Sequence, residues 1–152
     1  MNAYFKLKET HQKRVDALPL KFAFSNEQFK KAMEGWGLTV NDTDKIYKLG
    51  GTGGFYRRED SKLIFDTFEQ NEREMKEAIA ADKDGTGFIK DMFHYELANH
   101  EYCVTYDLEP TLDALGFTFE EVNANPALSN GLKIALSEYA FEIEDADGAE
   151  LY

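Results

Sequence analysis

The chain has 152 residues and a net charge of −12, set by 17 Lys and Arg against 29 Asp and Glu. At 43% hydrophobic and 14% aromatic it can bury a core, which excludes wholesale disorder, and no apolar run is long enough to cross a bilayer. A direct nucleic-acid binder needs clustered cations to neutralise phosphates, so an acidic balance of this size argues against DNA, RNA or anionic lipid as direct ligands.

In chain order, Tyr4, Leu7, His11, Val15 and Leu18 recur at helical steps and predict a first amphipathic helix, which Pro19 ends. The β-inclined string LKFAF follows. Ser25 with Gln28 then forms a capping box, with Phe24 and Phe29 at the two staple positions. This predicts a helix with Phe29, Ala32, Met33 and Trp36 on one face and Gly37 as its left-handed stop. Over 38–58 the period shortens. Ile46–Leu49 and Phe55–Arg57 read as strands flanking the glycine loop Gly50–Gly54, a small hairpin. Past Asp60 the helical period returns, with Ile64, Phe68, Met75 and Ile79 on one side, until Gly85 and Gly87 break it. A further helix is predicted from Phe88 to about Cys103, and a short one over Asp107–Leu115 closed by Gly116. Thr118 with Glu121 is a second capping box, and Asn125-Pro126 opens a last helix with Leu128, Leu132, Ala135 and Tyr139 facing the core. The expected fold is α+β and mostly helical: about six helices packed with a two- or three-stranded β element around 38–58. One globular domain is expected over 1–140, and 141–152 reads as an acidic, mobile tail.

The charge is unevenly placed. Residues 1–50 carry nine basic and six acidic groups, and 51–100 carry seven and eleven. Residues 101–152 carry Lys133 alone against twelve acids. An anionic surface of this kind attracts basic partners. The lone Cys103 cannot form an internal disulfide, and MNAYFKLKETHQKR has no apolar stretch of the secretory kind, so a reducing cytoplasm is the expected compartment.

The strings LPLKFAFSNEQF, KIYKLGGTGGF and FHYELANHEYC resemble those of a family of small uncharacterised proteins from bacteriophages and mobile elements of gut-type bacteria, over roughly residues 15–135. The resemblance implies an origin and a cytoplasmic setting, and no activity.

Four places bear on chemistry. Asp82, Asp84, Thr86 and Gly87 follow positions 1, 3, 5 and 6 of a calcium-binding EF-hand loop. Position 9 is Lys90, however, and position 12, where a bidentate Glu belongs, is Phe93, so a polar turn capping the next helix is the favoured reading. The Gly50–Gly54 loop leads into Phe-Tyr-Arg-Arg, without the Lys-Ser/Thr or helix start that a phosphate loop requires. A hairpin tip that could insert into a partner's groove fits it better. On the Phe88 helix, Ile89, Phe93, Glu96, His100 and Cys103 share one sector, so Glu96 and His100 point into an apolar face within mutual reach. Such a pair is a hydrogen-bonded packing element, a general acid and base or, with His11, a candidate metal group. Cys103 borders that face with no setting to stabilise a thiolate, and reads as structural.

The function expected from the sequence is a non-enzymatic acidic interaction protein, without cofactor, that binds a basic protein surface. One version inhibits a host nucleic-acid-handling or defence protein by presenting carboxylates in place of phosphates. The contact residues expected are Glu120, Glu121, Glu138, Glu142, Glu144, Asp145 and Asp147. The alternative is a metal-binding protein or small enzyme using Glu96 and His100.

Overall fold

The structure, a computed structural model, describes the backbone of residues 1–150 and the side chains among them other than Cys103 and 141–150. The elements are helix α1 (Ala3–Asp16), strand β1 (Lys21–Phe22), helix α2 (Asn26–Gly35), strands β2 (Ile46–Leu49) and β3 (Gly54–Arg57), then helices α3 (Ser61–Ala81), α4 (Phe88–Asn99), α5 (Tyr102–Thr105), α6 (Glu109–Leu115), α7 (Phe119–Ala124) and α8 (Pro126–Glu150). The fold is mostly helical α+β, with one small antiparallel sheet in the order β1-β3-β2. They form two compact units: Met1–Thr10 with Glu74–Tyr152, and His11–Arg73.

In the unit His11–Arg73, the hairpin pairs Ile46 with Arg57 and Leu49 with Gly54. The third strand comes from the LKFAF string: Lys21 and Phe22 pair with Phe55 and Gly54, and the Ala23 N–H continues the ladder to the Gly53 carbonyl. The sheet buries one face against α2, where Met33, Ile46 and Phe55 pack with Phe29 and Trp36. Trp36 meets Phe55 edge to face at 5.5 Å between ring centres, and the Lys21 ammonium lies 4.4 Å over the indole. Leu18, Tyr56 and Ile64 form a separate cluster with Leu20 and Leu49.

Local signals set the start of α2. The Ser25 hydroxyl accepts the Gln28 N–H, and the Gln28 side chain accepts the N–H of Phe24, one residue earlier than a standard capping box would have it. The staple expected between Phe24 and Phe29 is not made: Phe24 is 77% exposed, and its ring fills the space where Gly53 would carry a Cβ. Phe68 also departs from expectation, being exposed on α3 with Leu63 and Phe65, whereas Met75 and Ile79 pack against a core as their period predicts.

The other unit is built on α4 against α8, with α7 also on α8. Its core is Tyr4, Ile89, Met92, Phe93, Leu97, Leu112, Val122, Leu128, Leu132 and Ala135. Two glycines permit the close approach of the α3–α4 loop to α8. A Cβ on Gly131 would stand 2.5 Å from the Ile89 methyl, and one on Gly85 would strike the Ala127 carbonyl oxygen. The Asn125 side chain accepts the N–H groups of Ala127 and Leu128, and the Thr118 hydroxyl that of Glu121, so both predicted caps form. The helix predicted to run to about Cys103 stops earlier. His100 closes α4, Glu101 and Tyr106 take left-handed backbone angles, and α5 is a single turn between them. Periodicity continued across this break because the residues on either side are helix-compatible; the reversal is visible only in the backbone. Among the described residues, no helix is long and apolar enough to cross a membrane.

Candidate functional site

The most unusual group in the Met1–Thr10/Glu74–Tyr152 unit is a carboxylate inside the core. Glu96 is 2% exposed on a helix face shared with Phe93 and Leu97. Its oxygens are held by three side chains. Tyr4 Oη donates to Oε1 at 2.8 Å, Lys8 Nζ reaches the same oxygen at 3.1 Å, and His100 Nε2 lies 3.0 Å from Oε2. Tyr4 and Lys8 stand one turn apart on α1, so one helix face delivers both. His100, as the residue that closes α4, swings its ring back over Glu96 while its N–H bonds the Glu96 carbonyl. Thr111 on α6 also donates its hydroxyl to that carbonyl, at 3.4 Å.

Burial pushes the Glu96 carboxyl up, but the hydrogen bonds from Tyr4 and Lys8, the Lys8 charge and the His100 contact outweigh it and hold it below its ordinary value. Burial, then the neighbouring Glu96, pushes the Tyr4 phenol far above its usual range. At neutral pH Glu96 is therefore charged, and its carboxylate ties Tyr4 and Lys8 of α1 to α4. Tyr4 also packs on Phe88 and Tyr95, and Asp91 accepts the first N–H of α1, from Ala3, at 2.9 Å. A face of two helices is thus joined by one buried charge and its ring of donors.

Of the sequence-derived candidates, Glu96 and His100 come together as expected, and Tyr4 and Lys8 complete the set. His11 belongs to the other unit, and among the described residues no group of three or more His, Cys, Asp or Glu could hold a metal ion. Tyr4 and Lys8 were legible only as a polar and an aromatic residue on an amphipathic helix, and their pairing with Glu96 depends on the register of α1 against α4. The side chain of Cys103 lies outside the described residues.

The EF-hand-like segment is a turn with its carboxylates occupied. Asp82 Oδ2 accepts the N–H groups of Gly87 and Ile89, so it caps α4, and Asp84 Oδ1 accepts the N–H and hydroxyl of Thr86. Those Thr86 donors hold the Asp84 carboxyl below its ordinary value. Phe93, at the position of the bidentate ligand, is buried in the core.

The acidic candidates divide. Glu120 and Glu121 are exposed on α7, whereas Glu138 on α8 lies 3.6 Å from Lys90. The side chains of Glu142, Glu144, Asp145 and Asp147 lie outside the described residues. Sequence reasoning passed over the nearby stretch Glu101, Asp107, Glu109 and Asp113, all exposed, although its lack of any Lys or Arg was readable. Exposed Val104, Tyr106 and Phe119 accompany these acids.

The model of a family of unknown function, DUF7659, matches residues 3–138, and the chain belongs to that family. No match was found among curated proteins or among solved structures.

Proposed function

We propose that this is a non-enzymatic, acidic interaction protein of phage or mobile-element origin that binds a basic protein surface in the cytoplasm. Segregation of charge between the two units supports the reading. The unit Met1–Thr10/Glu74–Tyr152 holds 6 basic and 19 acidic residues, whereas His11–Arg73 holds 11 and 10. The whole excess therefore belongs to one unit. Between Glu101 and Glu121 it presents six exposed acids with no base, and among the described residues none of the six forms an ion pair.

Uncompensated carboxylates at this density keep their field and speed encounter with a cationic surface, while Val104, Tyr106 and Phe119 supply apolar contact area once docked. A basic channel that normally holds nucleic acid is the partner this chemistry fits best, with carboxylates standing in for phosphates. The Glu96–His100 pair is read as scaffold, because Tyr4, Lys8 and His100 all hold the Glu96 carboxylate. Affinity capture from a bacterial lysate at about 50 mM and about 500 mM salt tests the proposal. A partner retained at low salt, released at high salt and weakened by the double substitution Glu120→Lys/Glu121→Lys is expected. Capture insensitive to both salt and charge reversal would remove the electrostatic basis of the reading.

A further inference from the structure

The His11–Arg73 unit carries a groove unrelated to the acidic surface. It has a volume of about 650 Å³ and lies across the sheet face between the start of α2 and the Gly50–Gly54 turn. This is the size of pocket that holds a small ligand or a few residues of a peptide. Ile46, Phe29 and Phe55 line it, with exposed Phe24 also on its wall. Its lining contains no Asp or Glu, and its one charged member is Lys48, exposed on β2.

The glycine turn gives this groove a bare backbone wall. The bonds that close the turn run from the Thr52 N–H and hydroxyl to the Leu49 carbonyl and from the Gly54 N–H to the Thr52 hydroxyl, and the Gly50 and Gly51 N–H groups take no part in them. Gly53 takes a left-handed backbone at φ +79°, which favours glycine, and its open side faces the Phe24 ring on the groove wall. The turn thus forms one side of this groove.

We infer that this groove takes an extended segment of a partner protein that presents an aromatic or large aliphatic side chain beside a carboxylate. The phenylalanine lining accepts the apolar side chain. The carboxylate meets Lys48 and the unengaged amides of the turn, in a wall with no acidic residue to repel it. Charge complementarity selects this occupant over a basic or purely apolar one.

The test uses the full-length protein, labelled with ¹⁵N, and a peptide capped at both ends, Thr-Glu-Phe-Glu-Thr-Ser. Glycine amides fall in a distinct region of the spectrum, so the turn reports directly. Binding is expected to shift Gly50, Gly51, Gly53 and Gly54 together with Lys48, and the analogue with lysine in place of glutamate is expected to leave them unmoved. Lys48→Glu should weaken binding about fivefold. Gly51→Glu should weaken it as much or more. Lys48 is exposed and the space around Gly51 is open, so both variants keep the fold. Absence of shifts up to about 1 mM peptide, equal binding of the lysine analogue, or indifference to both substitutions would overturn the inference. So would a dimer of the free protein that Lys48→Glu dissociates, because it would assign the groove to a second copy.

Discussion

Replacing Tyr4 by Phe removes one oxygen from the middle of the Glu96 cluster and little else. The ring keeps its place against Phe88 and Tyr95, at 5.9 and 5.6 Å between centres, so packing is retained. The change deletes a 2.8 Å hydrogen bond to a buried carboxylate, which then relies on Lys8 and His100. Hydrogen bonds to charged groups contribute about 1.5–3 kcal/mol, so a loss of about 2 kcal/mol is expected. For a chain of this length that corresponds to a fall in Tm of about 4–8 °C. Glu96→Ala should cost more, about 2–4 kcal/mol, because it leaves the buried Tyr4 hydroxyl unpaired and a cavity in the core, while the half-exposed Lys8 ammonium can turn to water.

The pH profile separates this account from simple packing. Glu96 has a folded-state pKa below its ordinary value of 4.5, so its contribution is complete above that pH and is lost as the pH falls through the folded value. Tyr4 has a folded-state pKa above its ordinary value of 10.0, so its contribution is complete below that pH and is lost as the pH rises beyond it. Tyr4→Phe should therefore weaken the acid limb and abolish the part of the alkaline limb that Tyr4 carries. Urea unfolding followed by circular dichroism between about pH 3 and pH 11 reads both limbs. A variant within about 0.5 kcal/mol of the parent at neutral pH, with both limbs unchanged, would show that the phenol does not hold Glu96.

Three further outcomes follow from the α3–α4 loop and its contact with α8. Gly131→Ala should destabilise by about 1–3 kcal/mol in thermal melts although alanine is the better helix former, because its methyl group has no room beside Ile89. Gly85→Ala should cost at least as much, since it adds a left-handed backbone at φ +79° to the clash with Ala127; a neutral effect at both positions would contradict the close approach of loop and helix. Calcium should leave the melting temperature unchanged, because Asp82 and Asp84 already accept backbone and hydroxyl donors and Phe93 replaces the bidentate ligand. A calcium-dependent rise would overturn the assignment of this loop as a helix cap.

The elements were largely legible because their signals are local. Ser25, Thr118 and Asn125 announce three helix starts through bonds made within four residues, and each is seen. The Gly50–Gly54 turn announces its hairpin in the same way. What failed was inference from periodicity alone. Phe68 and Phe24 sit at positions a core would use and are exposed, since the pattern records which side chains share a face and not whether anything covers it. The continuous helix through His100 failed for a related reason: nothing in the period marks where Glu101 reverses the chain.

The sequence by itself determined the helical α+β composition, the caps, the reach of Glu96 to His100 and the placement of nearly all excess charge late in the chain. Each of these is a property of neighbours along the polymer or of composition. Tertiary structure alone decided that Tyr4 and Lys8 are the remaining partners of Glu96. It also decided that LKFAF supplies a third strand and that the glycine turn walls a groove. These contacts join residues many positions apart, such as Tyr4 with Glu96 and Phe22 with Gly54. Their formation depends on the packing register of whole elements, which no local preference encodes.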